Sequence, residues 1–241
     1  MIKLSNISFA YEQNKILDNF SLNFKDHQIS CLVGPSGAGK TTLLNIIAGT
    51  LKVQQGTIEG VPKKISYLFQ DDRLINEITV YKNLELVLLS VYKEKQEIDR
   101  EIRKYLNLVG LNDYVNYYPH ELSGSMRTRL SLVRAFIYPS DLLIMDEPFQ
   151  GLDIQLKFEL LKSFGQLWAE KKPTILYVTH DLDIVSMLSQ DIFILTNKPI
   201  KIKNQLSIKS EISKRKPYDK ASTSIRDKIY KEIEKWKPTT V

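Results

Sequence analysis

The stretch ISCLVGPSGAGKTTLLNIIA, Ile29 to Ala48, decides how this chain is read. Ile29–Val33 is an apolar run of strand length, Lys40 to Ala48 carries apolar residues at helical spacing, and a glycine-rich loop joins them. A strand, a glycine loop and a helix in that order form an anion site. Gly34, Gly37 and Gly39 let the backbone curl until successive N–H groups point inward, and the helix start adds its partial positive charge. Pro35, Ser36 and Ala38 complete the loop. In such a loop Lys40 reaches the β- and γ-phosphates of a nucleoside triphosphate, Thr41 offers its hydroxyl to Mg²⁺, and Thr42 lies toward the α-phosphate. The competing reading is a plain glycine turn, against which the flanking strand and helix weigh.

About a hundred residues downstream, SDLLIMDEPFQGLD (Ser140 to Asp153) reads as a buried strand ending in two adjacent carboxylates. Carboxylates at the C-terminal end of a parallel strand face the crevice where ligands bind. Asp146 fits the Walker-B role of holding Mg²⁺ through water. Glu147, on the other side of the strand, is placed to polarise a water for attack on the γ-phosphate. An isolated acidic pair would more simply cap a strand end; coupled to the phosphate loop it reads as chemistry.

The intervening pattern supports an α/β chain. Short β-rich runs occupy the first 70 residues. From 79 to 116, Val80, Leu84, Val87, Leu88 and Val91, then Ile98, Ile102, Tyr105, Leu106 and Val109, recur at helical spacing, which reads as an inserted helical subdomain at about 71–135. From Ser123 helix and strand alternate to Leu195, the pattern of a mostly parallel sheet with crossover helices.

Composition narrows the class. The 241 residues are 43% apolar, and 10 Gly and 9 Pro are too few for low complexity. The single cysteine, Cys31, forms no internal disulfide, so a cytoplasmic address is the default. No apolar run approaches the roughly 18 residues of a spanning helix, and the N-terminus reads as a strand rather than a leader. The net charge of +6 belongs to the tail: residues 201–241 hold twelve Lys and Arg against five Asp and Glu, and the first 200 residues balance to −1. A solvated or membrane-proximal tail is favoured over nucleic-acid binding, which would more often put its basic stripe on the folded domain.

LSGSMRTRL (Leu122 to Leu130), between the phosphate loop and the acidic strand, resembles the signature motif of the ATP-binding subunits of ABC transporters. The resemblance covers nearly the whole chain. Gln70 is similar to the Q-loop glutamine, Gly151-Leu152-Asp153 to the D-loop, His180 to the switch histidine, and Tyr11 to the aromatic residue that stacks on adenine. The fold implied is a P-loop ATPase core with a mostly parallel sheet, an antiparallel β N-terminal layer and the inserted helical subdomain. Residues 1–200 form the ATPase domain, and 201–241 a basic strand and helical tail.

The resemblance further implies that two copies close head to tail over ATP, each bringing Ser123, Gly124, Ser125 and Met126 to the other's phosphate loop. Asp153 joins the nucleotide-binding residues. His180 would bond the γ-phosphate and orient Glu147, and Gln70 would contact Mg²⁺ or the attacking water and report to the helical subdomain. Asp71, Asp72 and Arg73 lie either at the edge of a permease-docking groove or in a solvated loop. The implied activity is ATP hydrolysis on Mg²⁺ at the cytoplasmic face of the membrane, beneath separate permease subunits, with no nucleic acid.

LSGSMRTRL, DEPFQGLD, Leu167-Trp168 and the basic run Lys214-Arg215-Lys216-Pro217 resemble importers of nitrate, sulfonates, taurine and thiamine precursors. An extracytoplasmic substrate-binding protein would then complete the system. Export, a non-transport ATPase on nucleic acid or ribosomes, and a P-loop kinase are the alternatives. One departure stands out: Ser125 occupies the position where the family has a second glycine. If glycine's freedom is needed there, Ser125→Gly is expected to turn over ATP faster.

Overall fold

The computed structural model describes residues 1–234; positions 235–241, the end of the basic tail singled out above, lie outside the described residues. In chain order the elements are β1 (Ile2–Tyr11), β2 (Asn14–Phe24), β3 (Ile29–Val33), α1 (Lys40–Ile47), β4 (Gln55–Glu59), β5 (Ile65–Leu68), α2 (Val80–Leu88) and α3 (Lys95–Leu108). There follow α4 (Gly124–Ile137), β6 (Leu142–Asp146), α5 (Ile154–Lys171), β7 (Thr174–Val178), α6 (Leu182–Leu188), β8 (Asp191–Leu195), β9 (Ile202–Ser207) and α7 (Lys220–Glu234). They divide into two compact units, one of Met1–Lys63, Ile144–Glu147 and Thr174 onward, the other of Lys64–Leu143 and Pro148–Pro173.

The first unit stacks two β layers. Strands β2, β1 and β4 form an antiparallel sheet in that order. In β1 the buried residues Ile2, Leu4, Ile7 and Phe9 turn one face inward and leave polar residues outward, as a half-covered antiparallel strand requires. The second layer runs β6, β7, β3, β8, β9. Strand β3 pairs in parallel with β7 (Ile29↔Ile175) and with β8 (Cys31↔Ile192), whereas β9 returns antiparallel at the edge (Ile192↔Leu206). Every residue of β3, β7 and β8 is buried, which explains why those segments read as unbroken apolar runs rather than alternating ones. Phe24 of the antiparallel sheet meets Phe193 of β8 edge to face at 5.5 Å.

The second unit is mainly helical, with β5 beside the start of β6. Helix α4 packs against α2, α3 and α5. On α3 the buried residues are Ile98, Ile102, Tyr105 and Leu106, spaced three and four apart on one face. Phe164 of α5 joins Phe136 and Phe149 in edge-to-face contacts at 5.4 and 6.3 Å. The loop ahead of α2 is tied down by Asn83, whose buried amide accepts from Ile75 N and donates to the carbonyls of Ile75, Ile78 and Thr79. Among the described residues no helix is long and apolar enough to cross a membrane.

Candidate functional site

Strand β3 delivers the chain into the glycine loop, and α1 begins at Lys40. Gly39 caps that helix in the left-handed region at φ 107°, and a Cβ there would lie 2.3 Å from Ile16 Cγ2. Conformation and space both demand glycine at this position. The helix start has no side-chain cap and no acidic residue in its own first turn, which leaves its backbone N–H groups for an anion. Lys40 is 8% exposed and folds back along the loop, its Nζ donating to the carbonyls of Gly34 and Pro35 at 2.9 Å each. Burial lowers the Lys40 pKa, and Glu147, Cys31 and Asp146 counter that shift.

Asp146 closes β6 and accepts a hydrogen bond from the Thr41 side chain; burial raises its pKa, with Glu147 adding to the rise. The next residue, Glu147, leaves the strand in the left-handed region at φ 48° while its N–H still donates to Val178 O at 3.0 Å. A non-glycine residue held there stores strain of the order of 1–3 kcal/mol, as residues at reactive centres often do. His180 Nδ1 lies 3.0 Å from Glu147 Oε1. The other carboxylate oxygen, Oε2, is buried with no partner in the structure. The first unit thus gathers Gly34 to Thr42, Asp146, Glu147 and His180 around one loop. Tyr11 stands at the end of β1, 48% exposed, with its ring edge-on to Phe9 at 5.0 Å.

These residues fit a nucleotide with a hard cation. A buried carboxylate with a hydroxyl beside it is an oxygen donor pair, and the described residues hold no group of three or more His, Cys, Asp or Glu that could cage a metal. Mg²⁺ typically takes one or two protein oxygens and completes its shell with phosphate and water.

In the second unit Ser123 caps α4, its Oγ accepting from Met126 N at 3.3 Å and lying 3.1 Å from Ser125 Oγ. Gly124, Ser125 and Asp153 line one open cleft of about 540 Å³, with Asp153 capping α5 through Leu156 N. Gln70 Nε2 donates to Gln150 Oε1 at 2.6 Å. Sequence reasoning had not singled out Gln150, and nothing within its own stretch marks it as the partner of a residue 80 positions earlier.

The segment after Gln70 is not a solvated loop throughout. The Asp72 carboxylate accepts from Arg127 Nε at 2.7 Å, its carbonyl accepts from Ser131 and Arg134, and Arg134 also holds the Arg73 carbonyl. The Arg73 guanidinium stacks over Phe69 at 3.4 Å. The Arg127 bond and charge overcome the opposing effect of burial and lower the Asp72 pKa.

Of the two grounds for caution over Ser125, backbone freedom and a Cβ close to phosphate, the structure bears on the first. The residue lies in the first turn of α4 with no positive φ, so it draws on none of glycine's freedom, and a Cβ at neighbouring Gly124 would also meet open space. Ser125→Gly is therefore expected to loosen the helix start by about 0.5 kcal/mol without raising turnover. Thermal unfolding and a steady-state ATPase assay check both halves.

The sequence model of the ABC transporter family matches residues 17–150. The aliphatic sulfonates import ATP-binding protein of Bacillus cereus is 32% identical, covering 92% of this chain and 89% of its own length. The Fe(3+) ions import ATP-binding protein of Fusobacterium nucleatum is also 32% identical over 83% of this chain, which spans only 56% of that relative. Among solved structures, the dimeric post-hydrolysis state of the MJ0796 ATP-binding cassette, bound to ADP and phosphate, superposes with a TM-score of 0.73. It is 25% identical and covers 88% of this chain and all of its own.

Proposed function

The chain belongs to the ABC transporter family as an ATP-binding protein, and on that premise we propose that it hydrolyses ATP to drive import of a small solute through separate permease subunits. The observation that carries the reading is the convergence, around one glycine loop, of Lys40, the Thr41–Asp146 pair, and a Glu147 whose one oxygen holds His180 while the other is buried without a partner.

The backbone N–H groups of Gly34 to Thr42 and the start of α1 cradle the phosphates, and Lys40 turns from its carbonyl partners to the β- and γ-phosphates. Tyr11 supplies a stacking face for adenine. Thr41 and Asp146 are the residues that would hold Mg²⁺, which when bound offsets phosphate charge. Glu147 Oε2 accepts the proton of the attacking water as its oxygen bonds the γ-phosphorus and the bond to the bridging oxygen breaks, releasing ADP and phosphate. His180 keeps the carboxylate in place: an ionised carboxylate only accepts, so Nδ1 carries the ring proton.

A second copy closes head to tail, bringing Ser123, Gly124, Ser125 and Met126 with the positive end of α4 to the γ-phosphate. Asp153 and Gln70 keep the parts assigned to them above. Turnover is thereby conditional on closure. Exposed Ile75, Leu86 and Leu89 on the helical unit offer an apolar landing for a permease helix at the cytoplasmic face of the membrane. An extracytoplasmic binding protein delivers the solute. Two relatives of equal identity are named for Fe(3+) and for aliphatic sulfonates, and on this reading cargo choice rests with the permease and its receptor rather than with the cassette.

Phosphate release by the purified chain tests the hydrolytic step. Turnover that needs Mg²⁺ and vanishes with a non-hydrolysable ATP analogue supports it; transfer of the γ-phosphate to a small acceptor instead of water would favour a kinase.

A further inference from the structure

The two arginines of the basic tail, which the hydrolytic reading leaves without a task, are not free charge. Arg215 is 9% exposed, and its guanidinium is spent on main-chain carbonyls: Ser189 at 2.6 Å, Met187 at 3.2 Å and Ser186 at 3.4 Å from Nη1, and Ser210 from Nε and Nη2 at 3.2 and 2.7 Å. Three of those carbonyls belong to the last turn of α6 and its exit, where a helix leaves acceptors unpaired and favours a cation. Burial pulls the Arg215 pKa down to about 10.

The other end of α6 is held as well. Arg226 of α7 pairs with Asp183 in the first turn of α6, bonds Thr223 Oγ1 at 3.3 Å and faces the Tyr218 ring at 5.1 Å. Helix α7 packs on α6, and its Ile229 is wholly buried. The expectation of a merely solvated tail is thus corrected for both of its arginines.

Helix α6 starts two residues after His180. Asp181 caps it, its Oδ1 accepting from Asp183 N and Ile184 N, and Thr179 Oγ1 in turn accepts from Asp181 N at 3.1 Å. Ser189, at the far end, lies 2.6 Å from the Tyr177 hydroxyl, both fully buried, on the strand that leads to His180. The histidine therefore sits on a short bend whose two flanks are strand β7 and a helix of only seven residues. A helix that short has little stability of its own.

We propose that the tail segment carrying Arg215 and Arg226 is a positioning clasp: by fixing α6 at both ends it holds His180 at its 3.0 Å contact with Glu147, so the tail sets the rate of hydrolysis without touching nucleotide. This rests on the reading that His180 and Glu147 act in hydrolysis. Arg226 and Arg215 are positioning residues, acting through α6.

The test uses the full chain. Arg226→Ala is expected to speed hydrogen exchange at the Val185 and Ser189 amides, which close the turns of α6, and to lower kcat about fivefold with KM for ATP within about twofold. Arg226→Lys retains the charge and with it most of the protection and of kcat. Exchanging the partners, Arg226→Asp with Asp183→Arg, restores protection and kcat where each single change does not. Unchanged exchange in Arg226→Ala, or faster exchange with unaltered kcat, overturns the clasp. His180→Ala separates the two layers: turnover lost there but retained in Arg226→Ala overturns the clasp, whereas turnover retained in His180→Ala overturns the hydrolytic role beneath it.

Discussion

Glu147→Gln is expected to lower ATP turnover by about a thousandfold while leaving ATP affinity within about twofold of the wild type, the range in which a positioned general base acts. The amide keeps the size of the side chain and an oxygen able to accept from His180 Nδ1, so the contact at 3.0 Å and the left-handed turn at φ 48° persist. What is lost is proton acceptance at the buried Oε2, the atom without a partner. Because binding survives and cleavage does not, the nucleotide-closed dimer accumulates. Sedimentation with Mg²⁺ and ATP should show a dimer in this variant that the wild type forms only transiently. Turnover within a few-fold of the wild type would remove Glu147 from the reaction.

Lys40→Ala is expected to fail at the preceding step, weakening ATP binding about a hundredfold, as loss of a buried charge-assisted contact to phosphate implies. Two effects add. The phosphates lose their cation, and the carbonyls of Gly34 and Pro35 lose the donor that bonds each of them at 2.9 Å. Asp146 and Glu147 also lose the positive charge to which they are coupled. Titration calorimetry against ATP reads the affinity directly, and an unchanged dissociation constant would show that the loop binds phosphate without its lysine. The two variants separate binding from chemistry: Lys40→Ala leaves little nucleotide to cleave, whereas Glu147→Gln holds it uncleaved.

What was legible in the sequence is what short-range physics controls. Strands β3, β7 and β8 announce themselves as apolar runs because both of their faces are covered, and the glycines between β3 and α1 announce a bend that at Gly39 no other residue accommodates. The α/β class follows from such signals, whereas the antiparallel N-terminal layer was implied by the family resemblance. Relations between distant positions were not legible. Asp72 pairs with Arg127 across 55 residues, Gln70 with Gln150 across 80, and neither partner alters the local pattern around the other.

Charge counting misled in the tail for a related reason: Arg215 adds one unit to any sum whether it faces water or, as here, five bonds to main-chain carbonyls. For Ser125 the structure bears on backbone freedom alone. A glycine in a family motif suggested a need for unusual backbone, yet the residue is an ordinary member of the first turn of α4.

The central claim is that this chain is the ATP-hydrolysing partner of a membrane permease. Purification of the tagged protein from gently solubilised membranes of its native cell, with mass spectrometry of what accompanies it, tests that claim most directly. Recovery of a polytopic permease, with a receptor for its solute, is the predicted result. Recovery from the soluble fraction with ribosomes or nucleic acid, and no permease, would contradict it.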